Sequence, residues 1–238
     1  MATLKRPGGA LASRPLHFIW IVDCSGSMYG EKIGTVNHAI QSTIPEMAEA
    51  ARNNPNAQLL VRTLKFSSGA SWETPTAIEV ESFVWHDLEA DGVTDMGRAF
   101  GLLAAQLAIP PMSDRALPPV LVLLSDGQPT DDYKPELDKL LKLPWGRKAV
   151  RIAIAIGHDV DTDVLHEFTG NKELVLHANN PTALVKMIKW ASTAASMVSA
   201  PASRPDISQS SGDGTIAPLI IDMNNIPDVD DIGDDDVW

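Results

Sequence analysis

Residues 16–27 read LHFIWIVDCSGS. The run 16–22 is too short for a helix, and its β-branched and aromatic residues favour a strand buried on both faces. Directly after it, Asp23, Ser25 and Ser27 place one carboxylate and two hydroxyls at alternate positions, with Gly26 permitting a sharp turn. A buried strand that ends in oxygen-bearing side chains is the mark of an open α/β sheet. In such sheets the ligand site lies beyond the carboxyl ends of the strands, where the strand order reverses.

The rest of the chain repeats this alternation. Residues 33–52 carry Val36, Ile40, Ile44 and Met47 on one helical stripe, with Pro45 expected to kink or divide the helix. Residues 58–66 (QLLVRTLKF) form a second strand and 78–84 a shorter third, with Trp72 in a hairpin arm before it. A helix over 94–108 begins at Thr94, repeats Met96, Ala99, Phe100, Leu103 and Leu107 on one face, and stops before Pro110-Pro111. Strand 120–124 runs into Ser-Asp-Gly, and helix 133–143 is ended by Pro144. Strand 150–156, helix 162–169 closed by Gly170, strand 173–177 and helix 181–198 complete the series. This order predicts an α/β fold: a doubly wound, mostly parallel central sheet with helices on both faces.

One domain is expected over 15–198, after an N-terminal extension (1–14) and before a Ser/Pro/Gly-rich linker (199–214). Residues 215–238 form an acidic tail in which Leu219, Ile220, Ile221, Ile226 and Val229 interleave with Asp, a pattern suited to a docking peptide. The formal charge of -12 is uneven, because nine Asp and one Arg follow residue 200. The body is therefore close to neutral. With 19 basic against 31 acidic residues, the chain lacks the cationic surplus that nucleic-acid binding requires. No apolar run approaches the ~20 residues of a membrane span, and residues 1–16 lack the apolar stretch of a secretory signal. A cytoplasmic protein with no membrane and no nucleic-acid partner is the expectation. The single cysteine, Cys24, excludes an internal disulfide and suits a packed residue better than a nucleophile.

Three loops hold the candidate chemistry: 23–27, 91–95 (DGVTD) and 125–130 (SDGQPT). Together they supply Asp23, Ser25, Ser27, Thr94 and Asp126. Hard divalent cations prefer such oxygens, and with only two carboxylates a bound Mg²⁺ would keep Lewis acidity and an open position. Singly, each feature has a plainer reading. The first loop could cap its own backbone N–H groups, Thr94 could be an N-cap and Asp126 an Asx-turn residue. Asp131 and Asp132, next to the third loop, could support the ligands from behind or merely open a helix in solvent, and the latter is the expectation. Trp72, Trp85 and Trp145 read as packing residues rather than the rim of a binding face, and the six His show no paired ligand spacing.

The Asp-x-Ser-x-Ser loop, the Gly-x-Thr-Asp-x-Gly segment at 92–97 and the Ser-Asp-Gly strand end together resemble a von Willebrand factor A domain. The resemblance covers about residues 15–198 and implies a metal-ion-dependent adhesion site at Asp23, Ser25, Ser27, Thr94 and Asp126, binding Mg²⁺ or Mn²⁺. Residues 25–28 (SGSM) and 124–131 (LSDGQPTD) make the chain more similar to bacterial TerY-like proteins. That likeness implies a tellurium-resistance or stress-response setting with protein phosphatases and kinases as partners. TerY-like proteins often carry a Cys-rich zinc segment where this chain has its Asp-rich tail.

The reading that follows is a non-catalytic module whose metal captures a carboxylate or phosphate of a protein partner. The tail, in cis or in trans, could offer that acidic group itself. The alternative is a Mg²⁺-dependent phosphate-ester hydrolase with Asp23 or Ser25 as nucleophile, for which the loops show no Lys or Arg clamp and no Gly-rich phosphate loop.

Overall fold

The computed structural model describes residues 13–54, 56–158 and 160–199. The extension before residue 13, most of the linker and the whole tail lie outside the described residues. In chain order the strands are β1 (Arg14–Asp23), β2 (Ala57–Ser67), β3 (Gly69–Trp72), β4 (Ile78–Glu79), β5 (Val120–Ser125), β6 (Val150–Ile156) and β7 (Val175–Ala178). The helices are α1 (Glu31–Arg52), α2 (Met96–Gln106), α3 (Lys134–Lys142), α4 (Pro144–Lys148), α5 (Thr162–Thr169) and α6 (Pro181–Ser199).

The sheet runs β3-β2-β1-β5-β6-β7, with β4 also pairing β2. β1, β2, β5, β6 and β7 are parallel, and β3 and β4 pair antiparallel with β2. The chain winds outward from β1 to β2, then returns to build the other half from β5. The order therefore reverses between β1 and β5, which opens a crevice at their carboxyl ends.

Strand β1 is central, and its two faces are both buried. Leu16, Phe18, Trp20 and Val22 point into a core shared with Val36, Ile40 and Met47 of α1 and Leu184 and Ile188 of α6. Ile19 and Ile21 point the other way, into a core with Phe100 and Leu103 of α2, Leu140 of α3 and Phe168 of α5. Burying each such side chain stabilises the fold by roughly 1.5–3 kcal/mol, so a two-faced strand fixes the middle of the sheet firmly. Helices α1 and α6 pack side by side and run the same way: their first turns (Glu31 and Gly34; Pro181 and Thr182) line one pocket, and Lys189 pairs with Glu46 (3.0 Å) further along.

Several expectations need correction. Pro45 does not divide α1, which is one helix of 22 residues. Pro45 lies on the exposed face of the helix, as does Gln41, whose carbonyl loses its donor. Residues 78–84 are not a full strand. β4 stops after two residues and a 3₁₀ turn (Val80–Ser82) follows, turning Val80 and Phe83 into the core. A 3₁₀ turn (Lys172–Leu174) likewise precedes β7, which begins at Val175 rather than at 173. Pro144 both ends α3 and opens α4, consistent with the tolerance of a first helical turn for proline. Among the described residues, no helix is long and apolar enough to cross a membrane.

Candidate metal centre

Asp23 ends β1 with no solvent exposure. Its Oδ1 accepts the Ser25 N–H at 2.9 Å and its Oδ2 accepts the Ser125 hydroxyl at 2.6 Å. Ser125 Oγ in turn accepts the Gly127 N–H at 2.9 Å, so one hydroxyl ties the end of β1 to the loop after β5. Burial pushes the Asp23 carboxyl up to about 6; hydrogen bonds from Ser125 and Ser25 oppose the rise, and the Asp126 charge adds to it. The hydroxyl oxygens of Ser25 and Ser27 lie 3.0 Å apart. Ser25 is buried and Ser27 exposed, so the pair leads from the interior to solvent.

The second loop, 91–95, is laid on the first by backbone bonds. Asp91 N–H donates to the Cys24 carbonyl (2.8 Å), and Gly26 N–H to the Gly92 carbonyl (3.0 Å). Gly92 has φ +83°, and a Cβ there would lie 2.4 Å from Ser68 Oγ, so glycine is what lets this loop cross the end of β2. Thr94 is buried. Its N–H donates to Thr130 Oγ1 (3.0 Å) and its carbonyl accepts the Thr130 N–H (2.9 Å), which joins it to the third loop.

In that third loop Asp126 is 5% exposed, and its Oδ1 has no hydrogen-bond partner. A buried carboxylate oxygen left unpaired costs free energy, and in native folds it calls for an explanation such as a bound ion. Gly127 (φ +71°) holds the turn; a Cβ there would fall 2.2 Å from the Asp161 carbonyl oxygen. The structure thus carries Asp23, Ser25, Ser27, Thr94 and Asp126 on three mutually hydrogen-bonded loops at the crevice between β1 and β5.

The donor set fits a hard divalent cation. Two oxygens in adjacent positions of an octahedral ion at ~2.0–2.1 Å are about 2.9 Å apart, close to the Ser25–Ser27 separation. The unpaired Asp126 oxygen supplies charge where nothing else satisfies it. Among the described residues no group of three or more His, Cys, Asp or Glu is placed to hold a metal, and apart from the carboxylates of Asp23 and Asp126 the cluster offers hydroxyls. A donor set of that kind suits Mg²⁺ or Mn²⁺ better than a thiolate- or imidazole-seeking metal.

Several residues with a part in the site were not picked out as such in the sequence. Thr94 does not cap α2; the helix begins at Met96, and its first N–H groups are met from across the site by Asp131, which accepts from Gly97 (2.9 Å) and Arg98 (3.2 Å). Asp131 is therefore a cap rather than a solvated helix start. Ser125, Thr130 and Asp95, whose Oδ2 accepts the Gly69 N–H (2.8 Å), also hold the loops. The signal available was position, since all but Asp95 fall within LSDGQPTD. Cys24 is buried, and its thiol is pushed up to about 12, chiefly by burial and then by Asp23, so it is inert packing. Trp85 and Trp145 are buried, and Trp72 stacks on Arg62, whose Cζ lies 3.7 Å from the ring centroid.

A fold with its site at this crevice defines a class, and the comparisons name it. The family model for the von Willebrand factor type A domain matches residues 19–190, and the chain belongs to that family. No curated protein matches the chain. Among solved structures, a von Willebrand factor type A protein from Catenulispora acidiphila is 16% identical with a TM-score of 0.56, over 76% of this chain and 43% of that one. The ArnB paralog VWA2 from Sulfolobus acidocaldarius is 18% identical with a TM-score of 0.54, over 74% and 44%. Proximal thread matrix protein 1 from the mussel byssus, with a zinc-occupied MIDAS motif, is 16% identical with a TM-score of 0.56, over 77% and 46%. The chain spans less than half the length of each, and at these identities the likeness speaks for the fold alone.

Proposed function

We propose that this domain is a non-catalytic interaction module that holds Mg²⁺ or Mn²⁺ on Ser25, Ser27, Thr94, Asp23 and Asp126, and uses it to capture an acidic group of a protein partner. The observation that carries the reading is the unpaired, buried Asp126 oxygen in the same cluster as two hydroxyls at cation-edge spacing. The bound ion would supply Lewis acidity toward a carboxylate or phosphate from outside, and the exposed Ser27 marks the side from which that group approaches. The zinc-occupied MIDAS motif of the mussel relative supports the choice of a divalent ion.

Burial of Asp23, with both oxygens hydrogen-bonded, supports binding over hydrolysis. A nucleophile must reach the phosphorus atom, and Arg98, four residues beyond Thr94, has an exposed side chain and meets the loops through its backbone N–H. The SGSM and LSDGQPTD segments shared with TerY-like proteins support a stress-response setting, with a protein phosphatase or kinase as the partner, inside the cell.

Pull-down from the native cell, with and without chelator, tests the reading. Partner recovery should fall at least tenfold, about 1.4 kcal/mol, in EDTA and in Ser25→Ala/Ser27→Ala. Undiminished recovery in both would overturn it. A phosphatase and ATPase assay of the purified chain in Mg²⁺ should show no turnover.

A further inference from the structure

Two large apolar side chains stand exposed on the site loops. Tyr29, 78% exposed, is two residues beyond Ser27, and Val93, 48% exposed, precedes Thr94. Backbone bonds between 24–26 and 91–92 hold their two loops together. Exposed apolar groups beside a site for anions suit a ligand that presents an acid next to an aliphatic side chain.

The chain contains such a sequence. Residues 219–223 read LIIDM, with Asp222 following three aliphatic residues. Geometry decides whether it can arrive. α6 starts at the carboxyl edge of the sheet, against the first turn of α1 that follows the site loop, and packs back along β7, β6, β5 and α1, so its 19 residues carry the chain about 28 Å toward the opposite pole. From Ser199 to Asp222 is 23 residues. A chain of that length reaches at most about 76 Å, well beyond that gap. A tether that spans the gap makes the contact intramolecular, so even a weak contact would be populated within one molecule.

We infer that the tail is an internal competitor: Asp222 takes the metal's open position while the aliphatic residues before it pack on Tyr29 and Val93, and an outside partner must displace it. The inference rests on the metal-binding reading above and specifies how that site is regulated.

Amide NMR of the full chain, with Mg²⁺ replaced stepwise by paramagnetic Mn²⁺, tests it. Amides of 25–27 and 127 should broaden first, which reports metal at the site whatever the tail does. Those of 220–223 should then lose more than half their intensity, equally at high and at tenfold lower protein concentration. Ser25→Ala/Ser27→Ala should restore both sets, and Tyr29→Ala/Val93→Ser the tail set alone. Broadening at the site with an unaffected tail overturns the inference and leaves the metal reading standing. Tail broadening that fades on dilution, or that persists in the Ser25→Ala/Ser27→Ala chain, overturns it too, the first by showing contact between copies and the second by showing that the acidic tail binds the ion unaided. No broadening at 25–27 removes the metal reading itself.

Discussion

Asp126 is the residue on which the stability and the chemistry of the site disagree. Its buried Oδ1 is unpaired in the protein alone, so the side chain is a burden of about 1–3 kcal/mol until something positive meets it. Asp126→Ala should therefore unfold no earlier than the natural chain in EDTA. In millimolar Mg²⁺ or Mn²⁺ the natural chain should melt several degrees higher than in EDTA, and the variant should not, because ligand bound only to the folded state stabilises by mass action. Differential scanning fluorimetry in the two buffers checks both halves. Asp23 contrasts with it: both oxygens are engaged by Ser25 and Ser125, so it acts first as the strut that positions the loop.

At the scale of elements, α2 is held from outside itself. Asp95 at its N-cap position makes no side-chain cap, and the first free N–H groups are satisfied by Asp131 from the loop after β5. Asp131→Ala should cost about 1–2 kcal/mol in urea unfolding and should also weaken metal binding, since Thr94 stands immediately before this helix. A stability loss with unchanged metal affinity would show that the cap does not steady the site. This contact also marks where reading the sequence stops. The parallel strands were legible because runs such as VLVLL (120–124) and IAIAI (152–156) are apolar throughout, and Asp23, Ser25, Ser27 and Asp126 stood out as oxygen-bearing residues because each lies just beyond the end of such a run. Residues 78–84 misled because Val80 and Phe83 are apolar for packing under a turn rather than for pairing in a strand. Asp131, Thr130 and Ser125 were not separable from ordinary loop residues, because their roles depend on a neighbour some 30 to 100 residues away.

For the whole molecule, a half-buried histidine on the central strand makes stability depend on pH. His17 is held below its ordinary value by burial first and by the Arg62 charge second. The proton then binds the unfolded chain more strongly than the folded one. Its contribution is fully present above about 6.5 and declines as pH falls from there toward the depressed value in the fold. Urea midpoints of the natural chain should fall more steeply between pH 7 and pH 5 than those of His17→Gln; parallel curves would exclude this origin. Comparing the two chains cancels the titration of every other group.

β1 begins, and α6 ends, at the pole opposite the metal loops. A polypeptide joined at either junction therefore grips the domain from behind. Such an arrangement lets the module sit at the tip of a larger host, or be grafted into one of its surface turns, with the recognition face directed outward and no reshaping of the sheet.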